Sequence, residues 1–340
     1  KDLLGTTPNI VQYNRVWGKL KEGKEVWEYD LSKKGTITNT ATQVKKTGEN
    51  KDVYLIETFC GREVEATEDH DFATTEGMVK LKDLKNGDKL LVGIPEETYI
   101  PNKETYNYLV GFLYGMYYGD GTDSGTSAII DIWESKKTTQ SILNLVKDRV
   151  EKVISAKESE IDYKGNTKTN PTFSISKETD VYTKYRMQSY LLKRIFELEG
   201  FEGKGDLDNL HLKDKDFKTG FISGFFYTDG HVEASSKSVS LRITQTNKKA
   251  LQNTMLILQE LGIFSKIYSL RKAQFTKFRE TEKEYFCKDS FRLVIPDVKN
   301  CIKATSTLEL FDYKKEKIEN FLKTAANKKT SNFIASVKNI

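Results

Sequence analysis

Residues 113–121, LYGMYYGDG, and residues 222–230, ISGFFYTDG, decide the fold of this chain of 340 residues. Both stretches combine small and aromatic residues at helical spacing, and both end in Asp-Gly. A glycine inside a helix costs about 1 kcal/mol, and a helix accepts that cost where another backbone must come very close. The glycines in question are Gly111, Gly115 and Gly119 in the first helix, and Gly220 and Gly224 in the second. We therefore expect the two helices to pack on each other through these positions.

Asp120 and Asp229 stand at the ends of the two stretches. If the helices pack with their C-terminal ends side by side, the two carboxylates lie close together and repel unless cations sit between them. Divalent metals supply such cations, and metals about 4 Å apart suit in-line phosphodiester chemistry. A helix-ending turn would explain a single Asp-Gly. Two occurrences in equivalent places favour a site for Mg²⁺ or Mn²⁺.

The segments that follow the two stretches repeat one order of elements. From about residue 102 to 205 we expect a helix capped by Asn102, a strand, an amphipathic helix, a second strand and a further helix over 187–200, closed by Gly200. Residues 206 to 313 predict the same order, with one helix ending just before Gly262 and a last helix over 307–325. Two units of equal order indicate an internal duplication.

Residues 1–97 have a different character and predict a mostly β domain. Residues 52–67, DVYLIETFCGREVEAT, alternate apolar and polar positions and predict two strands with a turn at Gly61 and Arg62. At the other end, residues 314–340 contain seven Lys and two Glu. A basic segment of this kind indicates contact with a polyanion or a solvated helix. The sequence thus predicts domains at 1–97, 98–205, 206–313 and 314–340.

Composition limits the class of protein. The chain has 54 basic and 49 acidic residues and a net charge of +5. Its three cysteines are too few for a disulfide framework or a zinc cluster. No apolar run has the length of a membrane span, so no membrane partner is expected. We expect an intracellular protein, in the cytoplasm or in the nucleus of a eukaryote.

The two Asp-Gly stretches resemble the motifs of the LAGLIDADG homing endonucleases, in the single-chain form with two motifs. The likeness extends over about residues 102 to 313 and includes Gly115 and Gly224 within the motifs. Tyr118 and Tyr227 replace the first Asp of the family's string, which is often variable. The resemblance implies an α+β fold of two pseudo-symmetric αββαββα halves that form a saddle over double-stranded DNA. It also implies a monomer and Mg²⁺-dependent cleavage of both strands at a long asymmetric site.

The resemblance also implies roles for single residues. Asp120 and Asp229 match the metal ligands of the family. Gly119 and Thr228, the residues before them, are candidates for a ligating backbone carbonyl or for helix packing. The family often places a lysine near the end of a later strand in each half, where it stabilises charge or positions water. Lys177 and Lys299 are the matching catalytic candidates, and a surface lysine is the alternative for each.

The strand over residues 238–246, SVSLRITQT, is expected to carry side chains that face the DNA. Alternate residues of a strand point to one side, so Ser240, Arg242 and Thr244 can enter a groove together. Arginine to guanine is the commonest direct base contact. Either Arg242 or Gln245 is a candidate for orienting water in this half.

The N-terminal region resembles a second family, the Hint domain of inteins, around the block Thr67-Glu68-Asp69-His70. In that chemistry the histidine protonates a departing amide nitrogen and the threonine helps to hold the bond. An endonuclease after such a domain is the layout of a homing intein. Splicing begins at a Cys or Ser nucleophile and ends at His-Asn, whereas this chain begins with Lys1 and ends with Lys338, Asn339 and Ile340. We therefore expect a degenerate Hint-like domain that does not splice as written.

Three functions remain open at this point. The first is a site-specific DNA endonuclease. The second is a non-cleaving nucleic-acid-binding protein on the same scaffold, such as a maturase or a regulator. Loss of either motif acid would favour the second, and both acids are present. The third, an active self-splicing intein, needs termini that the given sequence lacks.

Overall fold

The fold is seen in a computed structural model, which describes residues 25–30, 35–40, 50–137, 141–161, 170–235, 238–277, 284–324 and 334–339. The chain divides into two compact units. The unit that we call the β-rich unit comprises the described residues within Lys1–Thr98, Arg242–Lys303 and Lys328–Ile340. The other, which we call the helix-pair unit, comprises those within Tyr99–Leu241 and Ala304–Asn327. The four-domain division expected from the sequence stays a prediction.

The described residues form seven α-helices and eighteen strands. The helices are α1 (Tyr106–Asp120), α2 (Ile142–Lys157), α3 (Tyr190–Leu198), α4 (Lys215–Asp229), α5 (Lys248–Glu260), α6 (Val298–Thr307) and α7 (Asp312–Thr324). The strands are β1 (Glu25–Asp30), β2 (Gly35–Thr40), β3 (Tyr54–Thr58), β4 (Glu63–Ala66), β5 (Asp71–Thr74), β6 (Gly77–Lys80), β7 (Lys89–Leu91), β8 (Gly121–Asp123), β9 (Ala128–Ser135), β10 (Thr172–Glu178), β11 (Tyr182–Ser189), β12 (Gly230–Ala234), β13 (Val239–Gln245), β14 (Lys266–Arg271), β15 (Gln274–Lys277), β16 (Glu284–Cys287), β17 (Ser290–Ile295) and β18 (Ile334–Asn339).

The β-rich unit contains a six-stranded sheet with the strand order β4-β3-β18-β7-β5-β6. The two strands expected around Gly61 are present as β3 and β4, and Gly61 has the left-handed φ of 81° that this tight turn requires. The last strand of the chain, β18, lies between β3 and β7. A cluster of buried side chains fills one side of this sheet: Ile56, Phe72, Leu81, Leu84 and Leu90.

The helix-pair unit contains a four-stranded antiparallel sheet with the order β10-β11-β9-β8. Strand β11 was not expected from the sequence, which predicted a helix over 187–200. The helix begins only at Tyr190, because the Ser189 hydroxyl accepts a hydrogen bond from the Leu192 amide and caps it. The preceding residues pair with both β9 and β10 along their length.

The second repeat forms a sheet of equivalent order, β14-β17-β13-β12. The division between the two units falls within β13, between Leu241 and Arg242. Between β14 and β17 the chain forms an additional hairpin of β15 and β16, which the sequence did not predict. The element orders α1-β8-β9-α2-β10-β11-α3 and α4-β12-β13-α5-β14-β17-α6 therefore match, apart from that hairpin.

Two helix boundaries differ from expectation. Helix α1 is capped by Thr105, whose hydroxyl accepts from the Tyr108 amide, while Asn102 accepts from the Glu104 amide in the preceding turn. The single helix expected over 307–325 is two helices, α6 and α7, with 308–311 between them. The chain has a mixed α and β fold, as predicted. None of the helices in the described part of the chain is both long and apolar enough to pass through a membrane.

Candidate metal centre and nucleic-acid surface

Helices α1 and α4 contact each other backbone to backbone within the helix-pair unit. A Cβ added to any of four glycines would overlap a carbonyl oxygen of the facing helix. The pairs of glycine and carbonyl are Gly111 with Phe217, Gly115 with Phe221, Gly220 with Tyr108, and Gly224 with Phe112. Any larger residue at these positions would force the helices apart, so the glycines permit the close approach.

The same contact continues to the C-terminal ends of the two helices. A Cβ on Gly119 would overlap the Thr228 hydroxyl and lie 2.8 Å from Oδ2 of Asp229. Asp120 follows Gly119 directly, and both aspartates are half-buried. The structure therefore brings Gly119, Asp120, Thr228 and Asp229 to one place, where two carboxylates stand at two adjacent helix ends.

The surroundings of Asp120 disfavour its charged form. Burial in the first place, and then repulsion by the Asp131 carboxylate, raise the pKa of Asp120. The ammonium groups of Lys184, Lys204 and Lys314 act in the opposite direction. A carboxylate that is costly to ionise without a counterion is one whose charge a bound cation would stabilise.

Asp131 on β9 is the group that repels Asp120, and its own charge is held by two cations from β11. Lys184 Nζ lies 2.7 Å from Oδ2, and Arg186 Nε donates to Oδ1 at 2.9 Å. Burial acts to raise the pKa of Asp131, but the hydrogen bonds from Arg186 and Lys184 outweigh it and lower the pKa. Lys184 also lies over the Trp133 ring, 4.7 Å from its centroid.

Sequence reasoning missed this cluster because it missed β11. The signal available was modest: residues 181–186, VYTKYR, are rich in residues that favour strands. Their exposed polar positions give no apolar alternation, which is the pattern that identifies half-buried strands. Only pairing with β9 and β10, distant in sequence, shows which way Lys184 and Arg186 point.

The donors at the two helix ends fit Mg²⁺ or Mn²⁺. Hard cations prefer oxygen ligands, and Mg²⁺ keeps several waters while taking one or two carboxylates. Asp120 and Asp229 supply carboxylates, and helix C-terminal ends carry partial negative charge. In the described ranges, no cluster of three or more His, Cys, Asp or Glu side chains could hold a metal by itself. Waters and substrate oxygens would therefore have to complete the coordination.

The two accessory lysines expected from the sequence lie elsewhere. Lys177 is exposed on β10, beside a β-bulge, with its ammonium 5.8 Å from the Tyr182 ring centroid. Lys299 is exposed in α6 of the β-rich unit, after β17 has ended at Ile295. Neither lysine is part of the cluster around Asp120 described above. Their expected catalytic role stays a prediction.

One face of the sheet in the helix-pair unit is polar and basic. Lys177 on β10 pairs with Lys184 on β11, and Ser174 pairs with Arg186. Because directly paired residues share one face of a sheet, these side chains form a row across the two strands. Lys177 thus belongs to a cationic surface whose inner end reaches Asp131.

The predicted DNA-facing residues of β13 have unequal exposure. Ser240 is 8% exposed, Arg242 and Gln245 are half-buried, and Thr244 is exposed. In the β-rich unit the Thr244 hydroxyl accepts a hydrogen bond of 3.2 Å from Nε of Arg292 on β17. Thr244 is therefore the best exposed of the four, and Arg292 is a polar neighbour that the sequence reasoning did not select.

The Thr67–His70 block forms a turn between β4 and β5. The Thr67 hydroxyl donates to Asp69 Oδ1 at 2.6 Å, and the His70 amide donates to the Thr67 carbonyl at 3.1 Å. The His70 ring packs edge-on against Phe72, with centroids 5.0 Å apart. The block is an ordered turn, and its expected part in splicing chemistry stays a prediction.

The curated relatives of the chain include a reductase subunit and an RNA polymerase subunit. The chain is 28% identical over 254 residues to the ribonucleoside-diphosphate reductase NrdEB subunit alpha of Bacillus subtilis, which covers 72% of the chain and 23% of that protein. Its namesake in Bacillus phage SPbeta matches equally. A DNA-directed RNA polymerase subunit, Rpo1N of Methanocaldococcus jannaschii, is 36% identical over 83 residues. The chain spans less than a quarter of the length of the reductase subunits that it matches.

Solved structures of LAGLIDADG proteins resemble the chain at low identity. The homing endonuclease I-DmoI in complex with DNA and Ca is 17% identical, with 64% of this chain and all of that chain covered and a TM-score of 0.39. Full-length DUF199/WhiA from Thermatoga maritima is 13% identical, with 67% and 63% covered and a TM-score of 0.35. Residues 216–295, which run from α4 to β17, match a model of a protein family. The family model that these residues match is described as a LAGLIDADG-like domain.

Proposed function

We propose that the chain is a site-specific DNA endonuclease that cuts both strands of double-stranded DNA with the help of Mg²⁺ or Mn²⁺. The observation that carries the proposal is the pair of carboxylates, Asp120 and Asp229, at the ends of two helices whose glycines bring them together. The match of 216–295 to the LAGLIDADG-like domain supports it. The first repeat has the same element order as the matched second repeat.

The protein's own groups would act by position and charge. Asp120 and Asp229 would hold the metal ions, which supply an activated water and charge stabilisation at the scissile phosphate. Asp131, which pairs with Lys184 and Arg186, acts electrostatically on Asp120, and it would orient water by accepting a hydrogen bond. No side chain near the helix ends needs to form a covalent bond with the DNA.

The cationic row on the sheet of the helix-pair unit would bind the DNA backbone. Lys177, Lys184 and Arg186 share one face, and cations that neutralise phosphates supply most sequence-independent affinity. In the β-rich unit, Arg292 and Thr244 offer the corresponding polar positions on β17 and β13. Base contacts from such rows would set the sequence preference.

A plasmid library with randomised inserts, incubated with Mg²⁺ and scored for linear product, tests the proposal. We expect wild-type protein to linearise some members, and EDTA to stop the reaction. Asp120→Asn and Asp229→Asn should each lower the cleavage rate by at least about a hundredfold while binding in EDTA changes little, since phosphate contacts dominate affinity. Asp148→Asn removes an exposed carboxylate paired with Lys152 and is the matched control.

Two results would contradict the metal assignment. One is cleavage at a near-normal rate by either motif variant. The other is sequence-specific binding by wild-type protein with no cleavage under any divalent metal tried. The second result would identify the chain as a non-cleaving DNA-binding protein on the same scaffold.

We further propose that residues 50–98 and 334–339 belong to a degenerate Hint-like domain, so that the endonuclease is of intein type. The central place of β18 between β3 and β7 supports this, because one sheet then combines strands that precede the two repeats with a strand that follows them. The relatives support it too. A reductase subunit and an RNA polymerase subunit share segments with one chain over 23% and 6% of their lengths, as expected of an element inserted into unrelated hosts.

A further inference from the structure

The turn between β3 and β4 places a cysteine and an arginine side by side in the interior of the β-rich unit. Cys60 is 4% exposed and Arg62 is 9% exposed. Nη1 of Arg62 donates to the Cys60 sulfur at 3.2 Å, and the Thr58 hydroxyl oxygen lies 3.2 Å from the same sulfur. Because a guanidinium has hydrogen-bond donors only, the sulfur is the acceptor in its contact with Arg62.

Arg62 is a buried cation that pairs with no carboxylate in the described part of the chain. Its other side-chain hydrogen bonds go to neutral groups, the Ser265 carbonyl at 3.1 Å and the Gln259 side-chain oxygen at 3.4 Å. Its Nε has no hydrogen-bond partner among the described residues. A guanidinium stays charged in proteins, and a buried charge needs an opposite charge close by. Among the described groups that contact Arg62, only the Cys60 thiol can supply that charge, by losing its proton.

The surroundings of Cys60 favour the charged form of its sulfur. Burial acts to raise the pKa of the Cys60 thiol, but the charge of Arg62 and the hydrogen bonds with Thr58 and Arg62 outweigh burial and lower the pKa. Tyr268 on β14 is a further titratable neighbour, and burial first, then repulsion by Cys60, raise the pKa of its phenol. A thiolate beside an arginine is the form that such an environment stabilises. The cluster packed around the sulfur is otherwise apolar and contains Val92, Ile94 and Phe264.

The pair lies where the hairpin of β3 and β4 meets two elements of the second repeat. The Ile267 amide of β14 donates to the Cys60 carbonyl at 2.9 Å. Arg62 bonds to Ser265, which directly precedes β14, and to Gln259 near the end of α5. All of these residues belong to the β-rich unit. Contacts of Cys60 and Arg62 therefore join two segments that are about 200 positions apart in the chain.

We propose that Cys60 is a thiolate and that its ion pair with Arg62 is a buried clamp, which fastens residues 50–98 to α5 and β14 of the second repeat. This inference goes beyond the proposed endonuclease function and does not depend on it. Strand β14 pairs with β17, with Tyr268 opposite Arg292, so the clamp supports the strand beside the polar positions Arg292 and Thr244. Neutralising the sulfur would leave Arg62 buried without an opposite charge, and the hairpin would separate from β14.

The ultraviolet absorbance of a thiolate, which a protonated thiol lacks, measures the charge on Cys60 in the folded full chain. The difference between wild type and Cys60→Ser gives the signal of this sulfur. We expect the signal to persist at about pH 7, where an ordinary thiol with a pKa of about 8.5 is protonated. In Arg62→Met the absorbance should appear only at higher pH, whereas Arg62→Lys, which keeps the charge, should retain part of it. Cys287→Ser removes the half-buried thiol of the hairpin of β15 and β16 and is the matched control, which should leave the Cys60 signal in place.

A thermodynamic cycle and hydrogen exchange test the clamp without the spectrum. In urea denaturation, Cys60→Ala and Arg62→Met should each raise the unfolding equilibrium constant at least about a hundredfold, because each leaves one buried charge unpaired. The double variant should be less destabilised than the sum of the two single changes. Exchange of the Ile267 amide should become about tenfold faster in Arg62→Met, since its acceptor lies in the released turn. A Cys60 signal that appears only above about pH 8.5, additive losses of stability, or unchanged exchange at Ile267 would each overturn the proposal.

Discussion

Replacement of Gly224 by alanine tests whether backbone contact between α1 and α4 holds the two acids together. A Cβ at this position would overlap the Phe112 carbonyl oxygen, and would lie 2.9 Å from the Met116 nitrogen and 3.0 Å from the Phe112 carbonyl carbon. Ordinary van der Waals contact begins at 3.4 Å. The helices must therefore separate by about half an ångström at the nitrogen, and by more at the oxygen, because backbone atoms cannot rotate away.

The size of the effect follows from two opposing contributions. In an unhindered helix, glycine to alanine would gain about 1 kcal/mol. Overpacking costs about 1–3 kcal/mol, and with several backbone atoms in conflict we expect a net loss of about 1–2 kcal/mol. The melting temperature of the helix-pair unit should fall by about 2–4 °C for each kcal/mol lost. A shift of half an ångström at the acids should also slow cleavage by about tenfold.

Thermal denaturation followed by circular dichroism, together with plasmid cleavage, measures both effects. Gly115→Ala should behave like Gly224→Ala, because its Cβ would meet Phe221 and Phe225 in the same way. Leucine at either position should be worse than alanine. Glu151→Ala, on the exposed face of α2, should change stability by no more than about 0.5 kcal/mol. A Gly224→Ala protein that melts higher than wild type and cuts at full rate would refute the close contact.

Two further predictions concern buried charges in the helix-pair unit. Asp131→Asn should destabilise the fold at neutral pH, and the difference from wild type in urea denaturation should vanish in acid. The pKa of Asp131 is lowered in the folded state, so its pairs with Lys184 and Arg186 stabilise above the ordinary value of about 4 and are lost as the pH falls through the lower folded value. Arg149→Met should cost about 3–5 kcal/mol, because Arg149 pairs at 2.7 Å with the largely buried Glu309, and a carboxylate left without its partner is expensive. The double variant with Glu309→Gln should recover part of that loss, and a single variant as stable as wild type would contradict the pairing.

The packing of the motif helices was predictable, because glycines are unfavourable inside a helix that no other backbone approaches closely. Gly115 and Gly224 cost stability locally, so their presence in apolar helical stretches already indicated a facing backbone. The same reasoning predicted that Asp120 and Asp229 lie at neighbouring helix ends. The residues of the two stretches were sufficient for this prediction, and no information about distant segments was needed.

The surroundings of the acids could not be predicted in the same way. The partners of Asp120 lie on β9, on β11, in the segment after α3 and in α7, and no local pattern relates these segments. Strand β18 pairs with β3 and β7, which are far away in sequence, and pairing between distant strands leaves little trace in either one. The sequence does not distinguish Lys204 and Lys314 from ordinary surface lysines, and only the structure shows that they contact the ends of α1 and α4.

The two repeats are similar around one arginine, but the group that this arginine contacts differs between them. In the first repeat Tyr185-Arg186-Met187 places Arg186 against Asp131, and in the second Phe291-Arg292-Leu293 places Arg292 against Thr244. The arginine is followed by a buried residue in both repeats, Met187 and Leu293, but it donates to a carboxylate in the first repeat and to a hydroxyl in the second. Asp131 and Thr244 are not equivalent positions, because the matching turns at Ser124–Ser127 and Ser235–Ser238 align Asp131 with Arg242. A carboxylate repels Asp120 and attracts Lys184, whereas a hydroxyl does neither. The charge around the arginine therefore differs between the repeats: the first repeat holds a carboxylate that acts on Asp120, whereas the pair of Arg292 and Thr244 in the second contains none.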